Sequence, residues 1–150
     1  MGRKSHIFSA LLIVAIVLLY AFYPTDKKRI KMVIEDSTEA IMQEDLDKLM
    51  EHISFNYRDQ YGGSYLLFKK RMEKVFTRFD DFDITADIMK VSLEEGGAEA
   101  ELKMSIIASE RAKRGYLIGD AVGAEDVRVV MEKSPYEWKV TKVERIADNN

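Results

Sequence analysis

Asp59 lies in the run Phe55-Asn56-Tyr57-Arg58-Asp59-Gln60-Tyr61, with a tyrosine two residues away on either side. A carboxylate that takes up or relays a proton near neutral pH must be desolvated enough for its pKa to rise. Asp59 is the best local candidate for that chemistry, followed by Asp83 and Asp87. The plainer reading of Asp59, a solvated turn residue beside Arg58, outweighs the catalytic one, because perturbed carboxylates are the minority case. Only two histidines exist, His6 and His52. His52 falls near a helix end, where a capping or surface role outweighs catalysis. There is no cysteine, which removes disulfides, thiol catalysis and thiolate metal sites. No ligand spacing suggests a metal, no nucleophile motif occurs, and Gly62-Gly63 lacks the pattern of a phosphate loop and reads as a turn. The catalytic set is therefore unknown, and no cofactor is called for.

The elements that would position these residues begin with an uncharged apolar stretch, Ile7 to Tyr23, that has basic residues on both sides. At about 1.5 Å per residue it reaches roughly 25 Å, the short end of what a bilayer core of about 30 Å accepts. Tyr20 and Tyr23 suit an interfacial belt. The exit from the stretch lacks the pair of small residues that a signal-peptide cleavage site needs, so an uncleaved transmembrane helix over 7–23 is expected, preceded by a short tail over 1–6. Arg3 and Lys4 face Lys27, Lys28, Arg29 and Lys31 across the stretch, so the positive-inside count nearly balances. A tail this short houses no function, and the expected arrangement is N-terminus in, with the following domain outside the cytoplasm.

With Arg3 and Lys4 in the tail, the remainder carries 21 basic against 26 acidic side chains, a net charge of −5. That balance gives no electrostatic reason to bind nucleic acid, and the cluster from Lys27 to Lys31 is better placed at lipid headgroups. About 125 residues suffice for one domain and one core.

Thr25 is placed to cap a helix whose apolar stripe runs through Ile30, Val33, Ile34, Ser37 and Ile41 and ends near Met42. Asp45 can cap a second, shorter helix through Leu46, Leu49, Met50 and Ile53. Ser64 is placed to cap a third, with Leu67, Phe68, Met72, Val75, Phe76 and Phe79 facing inward. After Asp80-Asp81 the period becomes alternating. Phe82, Ile84, Ala86 and Ile88 share one face, then Met89, Val91 and Leu93 fall on the other, a slip that a β-bulge produces. Glu95-Gly96-Gly97 reads as a hairpin turn into a strand ending near Ala108. A loop is expected over Arg111 to Gly123. Two further strands follow, around Val127 to Met131 and from Trp138 to Ile146. Three helices and a four-stranded antiparallel meander make an α+β layout, helices on one face of a curved sheet.

In this order, Gln43-Glu44-Asp45-Leu46-Asp47-Lys48-Leu49, Tyr57-Arg58-Asp59 before Gly62-Gly63, and the terminal Tyr136-Glu137-Trp138-Lys139-Val140 resemble the NTF2-like superfamily. That is the cone-shaped α+β fold shared by nuclear transport factor 2, ketosteroid isomerases and SnoaL-like polyketide cyclases. The resemblance covers residues 26–147, and Glu44 stands where the family often has Gly. It implies a cone-shaped pocket whose mouth Tyr57, Tyr61, Tyr65 and Trp138 would line as ligand-binding residues, with core and rim packing as their plainer role. In enzymes of this type an Asp in the cone moves the proton while a Tyr or second acid stabilises the oxyanion, and no full set can be matched here. The leading expectation is a non-catalytic, membrane-anchored NTF2-like domain that binds a partner protein in the membrane or envelope, or a small apolar ligand. The rival is a proton-transfer or dehydration enzyme with Asp59 as base. Self-association as a homodimer stays open.

Overall fold

The computed structural model describes residues 2–146, with side chains from Ser9 onward except that of Phe22. Met1 and Ala147, the expected last residue of the domain, lie outside the described residues. Helix α1 spans Gly2–Phe22 and so runs through most of the expected tail. Its large apolar side chains from Leu11 to Tyr20 stand exposed. Among the described residues no single helix is long and apolar enough to cross a membrane, although Ser9–Ala21 and Asp26–Met42 pass together as a pair bent by 51°.

Pro24 ends α1, and the Thr25 hydroxyl accepts from the Lys28 amide to open α2, Asp26–Met42. Helix α2 buries Ile30, Ile34 and Ala40, members of the stripe or its neighbours. It closes in a Schellman turn, the Glu44 amide donating to the Ile41 carbonyl at 3.0 Å and the Asp45 amide to the Ala40 carbonyl at 2.9 Å. Such a turn requires a left-handed residue after the cap, and Glu44 takes it, with φ 55°. Glycine would adopt the same backbone without strain. Asp45 then caps α3, Leu46–Glu51, by accepting from the Lys48 amide at 3.0 Å.

Helix α4, Tyr65–Arg78, starts after Ser64, whose side chain makes no capping bond. None of its residues is buried, and Leu67, expected inward, is exposed. The helix is amphipathic, yet its apolar face borders empty space, described below, where a packed core was expected.

The sheet has five strands, one more than expected: β1 Asp80–Glu94, β2 Gly97–Glu110, β3 Lys113–Ile118, β4 Glu125–Lys133 and β5 Trp138–Arg145. All pairings are antiparallel, in the order β1-β2-β4-β5, with β3 also on β2. β1 and β2 meet at a two-residue turn in which Gly96 holds φ 74°. The expected bulge is present, Ile88 facing Leu102 and Lys90 facing Glu101, and Met89 is the residue left over. Val91 thereby returns to the inner face. The other edge of β2 is shared: β4 pairs with it from Gly97 to Met104, and β3 takes over from Ile106 to Glu110. This hand-over corrects the expected loop over Arg111 to Gly123, half of which is strand. Its turn uses Arg111 and Ala112 at positive φ, neither a residue that announces a hairpin. Beyond β3, Gly119 at φ 80° sits where a Cβ would lie 2.9 Å from the Gly123 carbonyl oxygen, so the return to β4 is tight.

The core lies between α2, α3 and the concave face of the sheet. Ile30, Ile34, Met50, Leu102, Met131 and Trp138 belong to one buried cluster. The opposite face of the sheet is polar. Arg128 there reaches Glu99 at 3.7 Å and Glu144 at 3.3 Å, and Lys103 reaches Asp126 at 3.1 Å.

Candidate apolar cavity and its cleft

Helix α4 stands off the sheet far enough to leave a cavity of about 290 Å³. α2 contributes Ile34, Ser37, Thr38 and Ile41 to its wall, and α4 contributes Phe68, Met72 and Val75. Leu102, Met104, Ile106, Val129 and Val140 form the floor. No titratable side chain lines it. The only polar side chains are the hydroxyls of Ser37 and Thr38, and both are already used. Ser37 donates to the Val33 carbonyl at 2.6 Å and Thr38 to the Ile34 carbonyl at 2.8 Å. The interior therefore offers a guest dispersion but no hydrogen-bond donor. Engineered cavities of about 150 Å³ with such walls stay dry and bind benzene or xenon, and this one is nearly twice that size.

Asp59 is not in the cavity. It lies beside it, in an open cleft with Tyr57, Tyr61 and Arg71, backed by Glu144 and Arg145 of β5. One Asp59 oxygen accepts from the Gly63 amide at 2.7 Å and the Tyr61 amide at 2.9 Å, while the other pairs with the Arg71 guanidinium. A side chain at Gly63 would displace that carboxylate, because its Cβ would overlap it. The Asp59 side chain keeps only 10 % of its exposure. The Gly63 N–H, then the Tyr61 N–H and Arg71, outweigh this desolvation and hold the carboxyl below the usual carboxylate range. That is the opposite of a poised base. Asp83 and Asp87 are exposed on β1, Asp83 paired with Arg114 at 3.3 Å and Asp87 facing Lys103 across the strands.

Of the four residues expected at a pocket mouth, Tyr57 and Tyr61 meet in the cleft. Tyr57 is buried against Phe68, ring centres 4.8 Å apart, and burial pushes its phenol up to about 12. Tyr61 is exposed. Tyr65 packs on Phe55 at 4.7 Å, lining neither space. Trp138 is core: its ring is buried, and its indole N–H donates to Asp26. His52 caps α3, and its carbonyl accepts from the Val140 amide at 2.8 Å. Among the described residues no three His, Cys, Asp or Glu side chains are grouped to hold a metal ion. The resemblance implied a pocket, but none of the four residues expected at its mouth lines the cavity, and its actual wall was not foreseen. Its one legible trace was the α4 stripe, rich in Phe and Met, on a helix with nothing left over to fill the space.

No protein-family model matches the chain, and no curated protein matches it in sequence. Solved structures do match in shape. A provisionally assigned aromatic ring hydroxylase from Novosphingobium aromaticivorans superposes with a TM-score of 0.69 at 11 % identity, over 83 % of this chain and 90 % of that one. A provisionally assigned scytalone dehydratase from the same organism gives 0.68 at 13 %, over 81 % and 85 %. A provisionally assigned dehydratase of the NTF2-like family from Streptomyces avermitilis gives 0.63 at 11 %, over 79 % and 93 %. The chain has the NTF2-like fold. At these identities the likeness extends to the fold alone.

Proposed function

We propose that this protein is a non-catalytic binding module, an NTF2-like domain carried on an N-terminal membrane anchor, and that its cavity takes a small apolar ligand. The observation that carries the reading is the chemistry of the wall: no titratable group, and apolar side chains apart from two hydroxyls whose protons are committed to helix carbonyls. Proton transfer needs a titratable group beside the substrate. Asp59, the carboxylate of the rival reading, lies outside the cavity and is stabilised in its charged form. The anchor rests on the exposed, uncharged run from Ser9 to Ala21. A tether of this kind raises the effective concentration of the module near membrane-derived ligands and partners.

Xenon tests the cavity directly. Methyl-labelled full chain in lipid nanodiscs, followed by NMR under xenon pressure, should show saturable shifts at Ile34, Val75, Leu102 and Val129, with exposed Leu66 unaffected. Absence of saturable shifts at those methyls would remove the ligand-binding reading.

A protein partner is the second reading, favoured by three strongly exposed apolar side chains in the segment that leads into α4. Phe55 is 80 % exposed, Tyr61 81 % and Leu66 72 %. Isolated apolar side chains on a surface are ordinary, whereas a group of them marks a contact site.

A further inference from the structure

The cavity and the cleft are neighbours separated by one layer of side chains. Phe68, Met72, Ile118 and Val143 line both. An anionic or purely accepting group finds no donor among these walls, and burying it there would forfeit its hydrogen bonds at a cost that defeats binding. A guest can keep such a polar end in the cleft while its apolar end passes between those four side chains.

The chemistry of the cleft selects the sign of that end. The Asp59 carboxylate facing it is already compensated by two backbone amides and Arg71, while the Glu144 carboxylate pairs with Lys142 and, at 3.3 Å, with Arg128 on the other face of the sheet. The two guanidinium groups are not used up. Arg71 engages Asp59 through Nη1 alone, with its side chain 47 % exposed, and Arg145 engages Glu125 through Nε at 3.0 Å, with its side chain 59 % exposed. A guanidinium carries five N–H donors in a planar fork matched to carboxylate and phosphate oxygens.

Building on the apolar-ligand reading, we propose that the ligand is a small single-chain amphiphile with an anionic head, its chain in the cavity and its head in the cleft at Arg71 and Arg145. Scaled from the space that holds benzene, the cavity accommodates a chain of roughly ten carbons. Carboxylate and phosphate heads share the required chemistry.

The test is photo-crosslinking of full chain in nanodiscs with a diazirine analogue of decanoic acid, adducts located by mass spectrometry. Labelling of α1 serves as the internal measure of probe dissolved in lipid. Adducts should concentrate on the peptides carrying Met72 and Val143. Decanoate or decyl phosphate should compete there at least tenfold better than decanol or decyltrimethylammonium, and the better of the two anions identifies the head. Arg71→Gln combined with Arg145→Gln should abolish the preference for anions while decanol competes as before. Arg145→Gln alone, which leaves the Asp59 loop intact, should reduce it severalfold. Equal competition by anion, alcohol and cation in the unsubstituted protein, or an anion preference that survives both Arg variants, would overturn the head-group assignment and leave the apolar-ligand reading standing. Adducts confined to α1 would overturn the head-group assignment as well, and together with silent xenon shifts would sink both.

Discussion

The indole N–H of Trp138 donates to the carboxylate of Asp26 at 3.1 Å, joining the first residue of α2 to a residue 112 positions later at the start of β5. Lys133 completes the contact, its ammonium 2.7 Å from the other Asp26 oxygen. Asp26 thus serves two purposes at once, as the acidic residue in the first turn of a helix and as the clip that fastens that helix to the sheet.

The clip makes stability sensitive to acid. Lys133, then the Trp138 N–H, hold the Asp26 carboxyl below its ordinary value. A group whose folded pKa is depressed contributes stability that is complete above its unfolded pKa, about 3.9, and disappears as pH falls through the folded value. Trp138 fluorescence followed down in pH should therefore report loosening only below about pH 4. Asp26→Asn should remove that transition and cost about 1 kcal/mol at neutral pH, the contact being partly exposed. A fluorescence titration unchanged by Asp26→Asn would rule the clip out.

Trp138 itself is 3 % exposed and belongs to the central cluster. Trp138→Ala should lower stability by about 3 to 5 kcal/mol through lost transfer energy and the void left behind. Denaturant unfolding measures it, and a loss below about 1 kcal/mol would place the ring outside the cooperative core.

Glu44 offers a change in the other direction. It sits at φ 55° in a turn where glycine carries no steric penalty. Glu44→Gly should raise stability by roughly 1 kcal/mol, the left-handed strain outweighing the added freedom of the unfolded chain. A thermal melt that moves downward would show that the Glu44 side chain contributes more than its backbone costs.

Asp59→Asn should leave the fold intact and loosen one loop. The Tyr61 and Gly63 amides would exchange with solvent faster, because a neutral amide accepts less strongly than a carboxylate. Carboxyl-detected NMR of the unsubstituted protein should place the Asp59 pKa below the ordinary Asp value. A value near neutrality would restore the proton-transfer reading.

The anchor can be tested without any ligand. Full chain should sediment with membranes and resist carbonate extraction, and N-terminal sequencing should find no cleavage near Phe22. Release into the supernatant would remove the tether from the proposed function.

Local signals made much of this architecture legible. Thr25 and Asp45 cap the helices they were read as capping, Gly96 closes the hairpin, and the phase slip after Ile88 is a bulge. Strand β3 was not legible, since Lys113-Arg114-Gly115 carries no alternation and its only support is the edge of β2 that β4 vacates. The wall of the cavity was illegible for a related reason. It draws on α2, α4 and the curved sheet, and a volume left empty between elements has no residues of its own. Asp59 read as an acid in aromatic company, but backbone amides, which no sequence pattern displays, decide its charge.

The shared edge of β2 and the late position of β5 also set an order of assembly. Helix α2 leaves the ribosome early, carrying Ile30 and Ile34, which are covered in the finished domain. The strands that complete their cluster, with Met131, Trp138 and Val140, are translated last. The β1–β2 hairpin, closed over two residues, can form while synthesis continues, but α2 has no complete surface to dock on until the chain is nearly finished. A ribosome stalled before Trp138 would therefore hold a formed hairpin and an undocked amphipathic helix, a nascent state that needs shelter from aggregation until the last strand arrives.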